Sequence, residues 1–331
     1  MELTGKTIAI TGVGGFIGFR MAEMAKAGGM TVKGLDLSEP ALERVKALGA
    51  DCFVGDITSE QDAARLCEGA DIVFHTAAIV EAVGDMGLFR KINVGGAKNM
   101  AEQARSAGVS CFVHLSSVMV YGFQFPRFVT EDGPLRGENN PYCQTKIESE
   151  AALGVMHDPG NFDVIVIRPG DVYGPGSKPW VTRPASFMAK GMFVNAGGAH
   201  AIMNHVYIDN LIDAVMLAIE KDAGGETFNV TDDAETTFAD YFSRLSGCLG
   251  RSYREVPIPV MRALLWCLDI GFRLVGKPSE ADSDTLNFML RPEPYSVEKA
   301  KRVLGYSPTV DLDEGMRRVK SFLDNENWLP Q

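Results

Sequence analysis

The chain lacks a cysteine framework, a basic excess, and an unbroken apolar run long enough to cross a membrane. Its six cysteines, Cys52, Cys67, Cys111, Cys143, Cys248 and Cys267, form no CxxC pair and no zinc-like spacing. Such scatter suits reduced thiols in a cytoplasmic setting rather than a disulfide scaffold, and no metal site is expected. Basic residues number 32 against 43 acidic ones, a net charge of −11. Phosphate would be repelled over most of that surface, so no nucleic-acid partner is expected. The opening MELTGKTIAITG holds too short an apolar run to read as a secretory signal. The most apolar stretch, IPVMRALLWCLDIGFRLVG at 258–276, is interrupted by Arg262, Asp269 and Arg273, which argues against a spanning helix. No internal repeat, low-complexity tract or linker punctuates the sequence.

What is present is an ordinary globular composition over 331 residues, with 46% hydrophobic and 23% charged side chains. Short apolar runs, KTIAITG, TVKGLDL, ADCFVGD, ADIVFHTAA, SCFVHLSS and FDVIVIRPG, alternate with segments such as FIGFRMAEMAKAGG that carry apolar residues at helical intervals. This alternation predicts an α/β fold with a doubly wound parallel sheet. After about residue 170 glycine and proline become frequent and helices then dominate. The expected division is a nucleotide-binding domain over 1–170, rejoined by 200–232, with 171–331 forming mainly a smaller C-terminal substrate-binding lobe.

The glycines of TGVGGFIGFR, Gly12, Gly15 and Gly18, fall at the junction of the first strand and first helix. Glycine there permits a sharp turn and lets backbone N–H groups approach a pyrophosphate at the helix N-terminus. Asp36 ends the second strand eighteen positions after Gly18, where a carboxylate can accept hydrogen bonds from ribose hydroxyls. It would repel a 2′-phosphate, and no arginine directly follows it in LDLSEP, so NAD is favoured over NADP. Asp36 as a plain helix cap or solvated charge is the competing reading.

In PYCQTK, Pro141 suits the first position of a helix, and Tyr142 and Lys146 then share one helical face. A nearby ammonium favours phenolate and is expected to lower the tyrosine pKa towards working pH. Such a tyrosine can exchange a proton with a substrate oxygen while a nicotinamide exchanges hydride. Ser116 and Ser117, just past a strand end in CFVHLSSVMVYG, supply a hydroxyl to orient that oxygen. His75 and His114 lie on apolar strands and read as structural, and Cys143 needs no redox role.

In order along the chain, TGVGGFIG, GDIT, HTAA, NVGG, LSSVMVYG, YCQTK, RPGDVYGPG, HVYIDN and KAKRVLGYSP resemble the extended short-chain dehydrogenase/reductases. That superfamily holds NAD-dependent sugar epimerases and dehydratases and the 3β-hydroxysteroid dehydrogenases, whose branch the chain is most similar to in character. The resemblance implies a Rossmann domain with Ser117, Tyr142 and Lys146 as the catalytic set. It implies that Phe16 and Ile17 lie in the pyrophosphate turn, that Asp56 and Ile57 contact adenine, and that Ala77 and Ala78 line the cofactor cleft. It further implies that Asn93 supports the active-site helix, that Pro169 and Val172 flank the nicotinamide, and that the chain forms a homodimer through a four-helix bundle.

Relatives that handle nucleotide sugars often carry an arginine just before the VYIDN-like segment. Here AIMNHVYIDN has Met203 and Asn204 instead, although Lys178, Arg183 or Arg291 could compensate. On a helix, Arg262, Asp269 and Arg273 of the 258–276 stretch fall near one line beside Trp266, leaving a broadly apolar remainder. That helix would fill the core of the lobe, cover a lipophilic substrate as a lid, or rest against a membrane surface. The favoured reading is an oxidoreductase acting on a secondary alcohol or ketone of a lipophilic, sterol-like molecule. The alternatives are a nucleotide-sugar epimerase/dehydratase and a noncatalytic NAD-binding regulator, the last disfavoured by the presence of Ser117, Tyr142 and Lys146.

Overall fold

The structure is a computed structural model that describes residues 1–81, 83–137, 140–197, 200–274 and 283–326. Among the described residues eleven strands run in chain order: β1 Thr7–Thr11, β2 Thr31–Asp36, β3 Asp51–Val54, β4 Ile72–His75, β5 Cys111–Leu115 and β6 Asp163–Pro169. They continue with β7 Asp171–Tyr173, β8 Val194–Gly197, β9 His205–Tyr207, β10 Thr227–Val230 and β11 Arg254–Pro257. Seven of them form the main sheet in the order β10-β6-β5-β4-β1-β2-β3, with every pairing parallel. Buried Ile, Val and Phe fill these strands, the edge strand β3 excepted, because helices cover both faces and leave no solvent side for a polar alternation.

The order reverses direction between β1 and β4. Strand C-termini on either side of such a reversal leave a crevice between diverging loops, and the glycine turn after Thr11 sits in it. One hydrophobic layer places Met21, Ala22 and Ala25 of the helix Phe16–Ala27 and Leu211, Val215 and Ala218 of the helix Ile208–Glu220 against the sheet. The other packs Met100, Ala101 and Ala104 of Ala97–Ser106 with Leu66 and Leu153.

The lobe is built on two small parallel pairs, β7 with β9 and β8 with β11. Its own core joins Tyr173, Tyr241, Phe242, Leu245 and Val319. The HVYIDN segment ties the lobe to the sheet. His205 bonds Asp232 and Thr236, each at 2.8 Å, and Asn210 bonds both Asp232 and the backbone at 309–310. Residues Ala300, Leu304 and Tyr306 also return to the core of the large domain.

The helix Ile258–Leu274 does not fill the core of the lobe. It rests on β8 and β11 through Ile258, Met261 and Leu265, while Val260, Leu264, Trp266, Leu268 and Leu274 are exposed. Val275, Gly276 and the side chain of Arg273 lie outside the described residues.

Candidate active site

The glycine turn is closed by its own geometry. Gly12 adopts φ +64°, and the Gly15 N–H donates to its carbonyl at 2.9 Å. A Cβ on Gly18 would lie 2.2 Å from the Gly12 carbonyl oxygen, so only glycine lets the helix start this close to the strand. Asp36 accepts from the Gly14 N–H at 3.0 Å through one oxygen and from the Ser38 N–H at 2.9 Å through the other. Arg44 braces the far side, donating to the Gly14 carbonyl at 2.5 Å with its guanidinium over the Phe19 ring. Phe16 and Ile17 open the helix above this turn, leaving N-terminal amides pointed at the crevice. The cradle therefore fits a pyrophosphate, with Asp36 beside it for a ribose.

Asp56 and Ile57 follow β3 at the same edge of the sheet. Asp56 is exposed and accepts from Thr58, while Ile57 is buried under Gly96 with its carbonyl held by Asn99. Ala77 and Ala78 follow β4, and the Ala77 N–H donates to Thr11 at 3.1 Å. Pro169 ends β6, and Val172 lies half-buried in β7.

The helix Pro141–Gly154 brings Tyr142 and Lys146 to this edge. Asn140 caps it, its side chain accepting from the Tyr142 and Cys143 N–H groups, and Pro141 loses nothing at a position where the N–H has no helical partner. Asn93, 2% exposed, bonds both backbone groups of Ile79 and donates to Thr145 at 3.0 Å. It thereby fastens the loop after β4 to the helix that carries Tyr142.

The serines separate by partner. Ser117 hydrogen-bonds the Tyr142 hydroxyl and caps the turn Val118–Tyr121, whereas Ser116 faces inward and bonds Glu150. Lys146 is 4% exposed and donates to the Leu115 carbonyl at 2.6 Å, with its ammonium 5.8 Å from the centre of the Tyr142 ring.

That placement corrects the expected electrostatics of Tyr142. Burial pushes the phenol up to about 12, and only the Ser117 hydrogen bond opposes it. Desolvation outweighs a cation that is engaged elsewhere. The same burial brings Lys146 down to about 8, while the Glu150 carboxylate pulls it back up.

Glu150 belongs to a buried network that the sequence reading missed. Arg168 grips it with two bonds, at 3.0 and 2.6 Å, and also donates to the Tyr121 hydroxyl at 2.7 Å and the Glu131 carbonyl at 2.9 Å. The available signal was Glu150 standing one helical turn beyond Lys146. His75 and His114 stack at 5.7 Å between neighbouring strands, and burial holds both far below the usual imidazole range, so they stay neutral. Among the described residues no cluster of His, Cys, Asp or Glu has metal-site geometry.

The compensating cations also find their places. Arg291 is fully buried, paired with Asp171 at 2.8 Å, bonded to the Phe288 carbonyl, and within 3.3 Å of the Tyr295 hydroxyl. Asn204 is likewise buried and committed to Glu293 and Tyr295. Lys178 and Arg183 are exposed.

A dinucleotide turn at the switch point of a parallel sheet, facing a Ser-Tyr-Lys set, defines an NAD-dependent enzyme of the extended short-chain dehydrogenase/reductase class. A profile of the NAD dependent epimerase/dehydratase family matches residues 8–231, and the chain belongs to that family. It is 27% identical to the UDP-glucose 4-epimerase of Vibrio cholerae, over 97% of each chain. It is also 29% identical to the mouse sterol-4-alpha-carboxylate 3-dehydrogenase, decarboxylating, over 96% of this chain and 91% of that one. A solved UDP-glucuronic acid 4-epimerase from Bacillus cereus, in complex with UDP-glucuronic acid and NAD, superposes with a TM-score of 0.77 at 22% identity. That match covers 97% of this chain and 99% of the other, and shows the shared fold.

Proposed function

We propose that the protein interconverts a secondary alcohol and a ketone on a lipophilic, sterol-like substrate. Bound NAD supplies the hydride acceptor or donor. Ser117 orients the substrate oxygen, and Tyr142 carries the proton between that oxygen and its own phenol. Lys146 holds the nicotinamide ribose. With the phenol near 12, Tyr142 is protonated at neutral pH, so giving a proton to a ketone is the ready direction. Oxidation needs the phenolate, and its rate should climb with pH.

The observation that supports the substrate class is the sealed Arg291; Lys178 and Arg183 are exposed, and the UDP- and GDP-sugars of the panel below test them. A guanidinium with no exposed surface, paired to Asp171, offers a nucleotide diphosphate nothing without breaking a buried ion pair. Aromatic rings pack together in the lobe. Phe123 meets Phe288 edge-on at 6.5 Å, and Phe288 stacks on Trp180 at 5.9 Å.

Epimerisation of a nucleotide sugar remains the second reading, favoured by the likeness to the Vibrio cholerae epimerase. A panel of 3β-hydroxysteroids, smaller aryl and alkyl alcohols, and UDP- and GDP-sugars separates the two. Net NADH from a steroid alcohol is expected; isomerised sugar without net NADH would replace this reading with the second.

A further inference from the structure

Three consecutive residues at the end of β5 are bound to three consecutive turns of the helix Pro141–Gly154. The Leu115 carbonyl accepts from Lys146, the Ser116 hydroxyl donates to Glu150, and the Ser117 hydroxyl bonds that of Tyr142. Positions 142, 146 and 150 are spaced by four and stand one above another on that helix. The bond from Ser116 to Glu150 lies outside the Ser-Tyr-Lys set, and its serine is 2% exposed.

The neighbouring strand closes this bond into a ring. The Ser116 N–H donates to the Ile167 carbonyl at 2.7 Å, one bond beyond the Leu115–Ile167 pair that ends the register of β5 with β6. Arg168, the next residue of β6, grips Glu150 at 3.0 and 2.6 Å. Strand β6 therefore holds Ser116 by its backbone and, through Arg168 and Glu150, by its side chain. The same guanidinium donates to the Tyr121 hydroxyl at 2.7 Å, and that hydroxyl donates to Asn229 at 2.7 Å. Tyr121 ends the turn that Ser117 caps. One buried ion pair thus anchors Ser117 on both flanks, through its neighbour Ser116 and through Tyr121 four residues on.

Ser117 stands past the paired end of β5, where the ladder no longer sets its direction. Its hydroxyl accepts from the Met119 N–H at 3.1 Å as well as meeting Tyr142. A shift of about 1 Å in such a group costs roughly 10²-fold in rate. Hydrogen bonds to a charged partner are the strong ones, and in a closed ring each fixes the geometry of the next. We infer that Ser116 is a positioning residue: by binding Glu150 it holds the Ser117 hydroxyl against the Tyr142 phenol. Tyr121 does the same from the other flank. Both roles rest on those given to Ser117 and Tyr142 above.

The test compares Ser116→Ala, Tyr121→Phe and Tyr142→Phe in the full chain with NAD. Turnover is measured per NAD-binding protein, on the panel member that the wild type converts fastest, and wild type and Ser116→Ala are crystallised with NAD. In Ser116→Ala, kcat should fall by roughly 10²-fold while KM and the Kd for NAD stay within about twofold. Its crystal structure should show Ser117 turned from Tyr142. Tyr121→Phe should lower kcat by roughly tenfold, the loss of one bond to a charged group. Ser116→Ala turning over at the wild-type rate, or keeping the Ser117–Tyr142 bond, overturns the inference while Tyr142→Phe stays inactive. If Ser116→Ala does not bind NAD, Tyr121→Phe decides in its place by the same readings. An active Tyr142→Phe overturns the assignment of the site and this inference with it. If the wild type converts no panel member, the proposed function fails, and the crystal structures alone decide whether Ser116 holds Ser117.

Discussion

The helix Pro141–Gly154 buries Thr145, Lys146, Ser149 and Glu150, whereas Ile258–Leu274 leaves Leu264, Trp266, Leu268 and Leu274 to solvent. The first is polar where it is covered, and the second is apolar where it is not. Buried polar groups are tolerated only when each finds a partner, and here each does. Thr145 bonds the Pro141 carbonyl, Lys146 the Leu115 carbonyl, Ser149 the Lys146 carbonyl, and Glu150 meets Arg168. An exposed apolar face makes no such demand and costs only what its hydration costs. The comparison teaches that the chemistry sits where polar partners are fixed.

The comparison breaks most sharply at the phenol. Tyr142→Phe should lower turnover by about 10³-fold or more while leaving NAD affinity within about twofold, because the hydroxyl and not the ring moves the proton. Steady-state rates and NAD titration check both halves.

Next come the two partners of the buried pair. Glu150→Gln removes the negative charge that raises Lys146 and leaves Arg168 uncompensated, so the lysine should lose its proton at lower pH. Arg168→Met leaves Glu150 unopposed and should move the same titration to higher pH. Each change destabilises by about 3–5 kcal/mol, as expected for breaking a buried ion pair. A purely structural pair would lower Tm in both variants without moving the pH profile in opposite directions.

Asp36→Ala should narrow the preference for NAD over NADP by roughly tenfold, since one carboxylate no longer repels a 2′-phosphate. A wild-type preference for NADP would defeat that assignment. The smallest effect is on the outer helix. Leu264→Asp should change stability by no more than about 0.5 kcal/mol, because the side chain leaves no cavity behind. Thermal unfolding reads it directly.

The sheet and the turn were legible because they are local. Short runs of Ile, Val and Phe that end in Gly, Asp or Ser announce buried parallel strands, and Gly12 and Gly18 mark the points where only glycine fits. Tyr142 and Lys146 were legible for the same reason, their spacing being that of one helical turn. Direction was not. Nothing in PYCQTK says that the lysine ammonium turns to the Leu115 carbonyl, 31 positions back, and so leaves burial to govern the phenol. Arg168 sits at the end of an apolar strand and meets Glu150 only after helix and sheet have packed. Arg291 looked available for a phosphate until the fold set Asp171 against it.

The most direct test follows the hydride. The protein would be given NADH deuterated at the transferring C4 position, together with a 3-ketosteroid, and the product examined by mass spectrometry and NMR. Deuterium on the new carbinol carbon, one for each NADH consumed, is the predicted result. No NADH consumed with the ketosteroid, together with UDP-glucose converted to its C4 epimer without net cofactor change, would contradict the account.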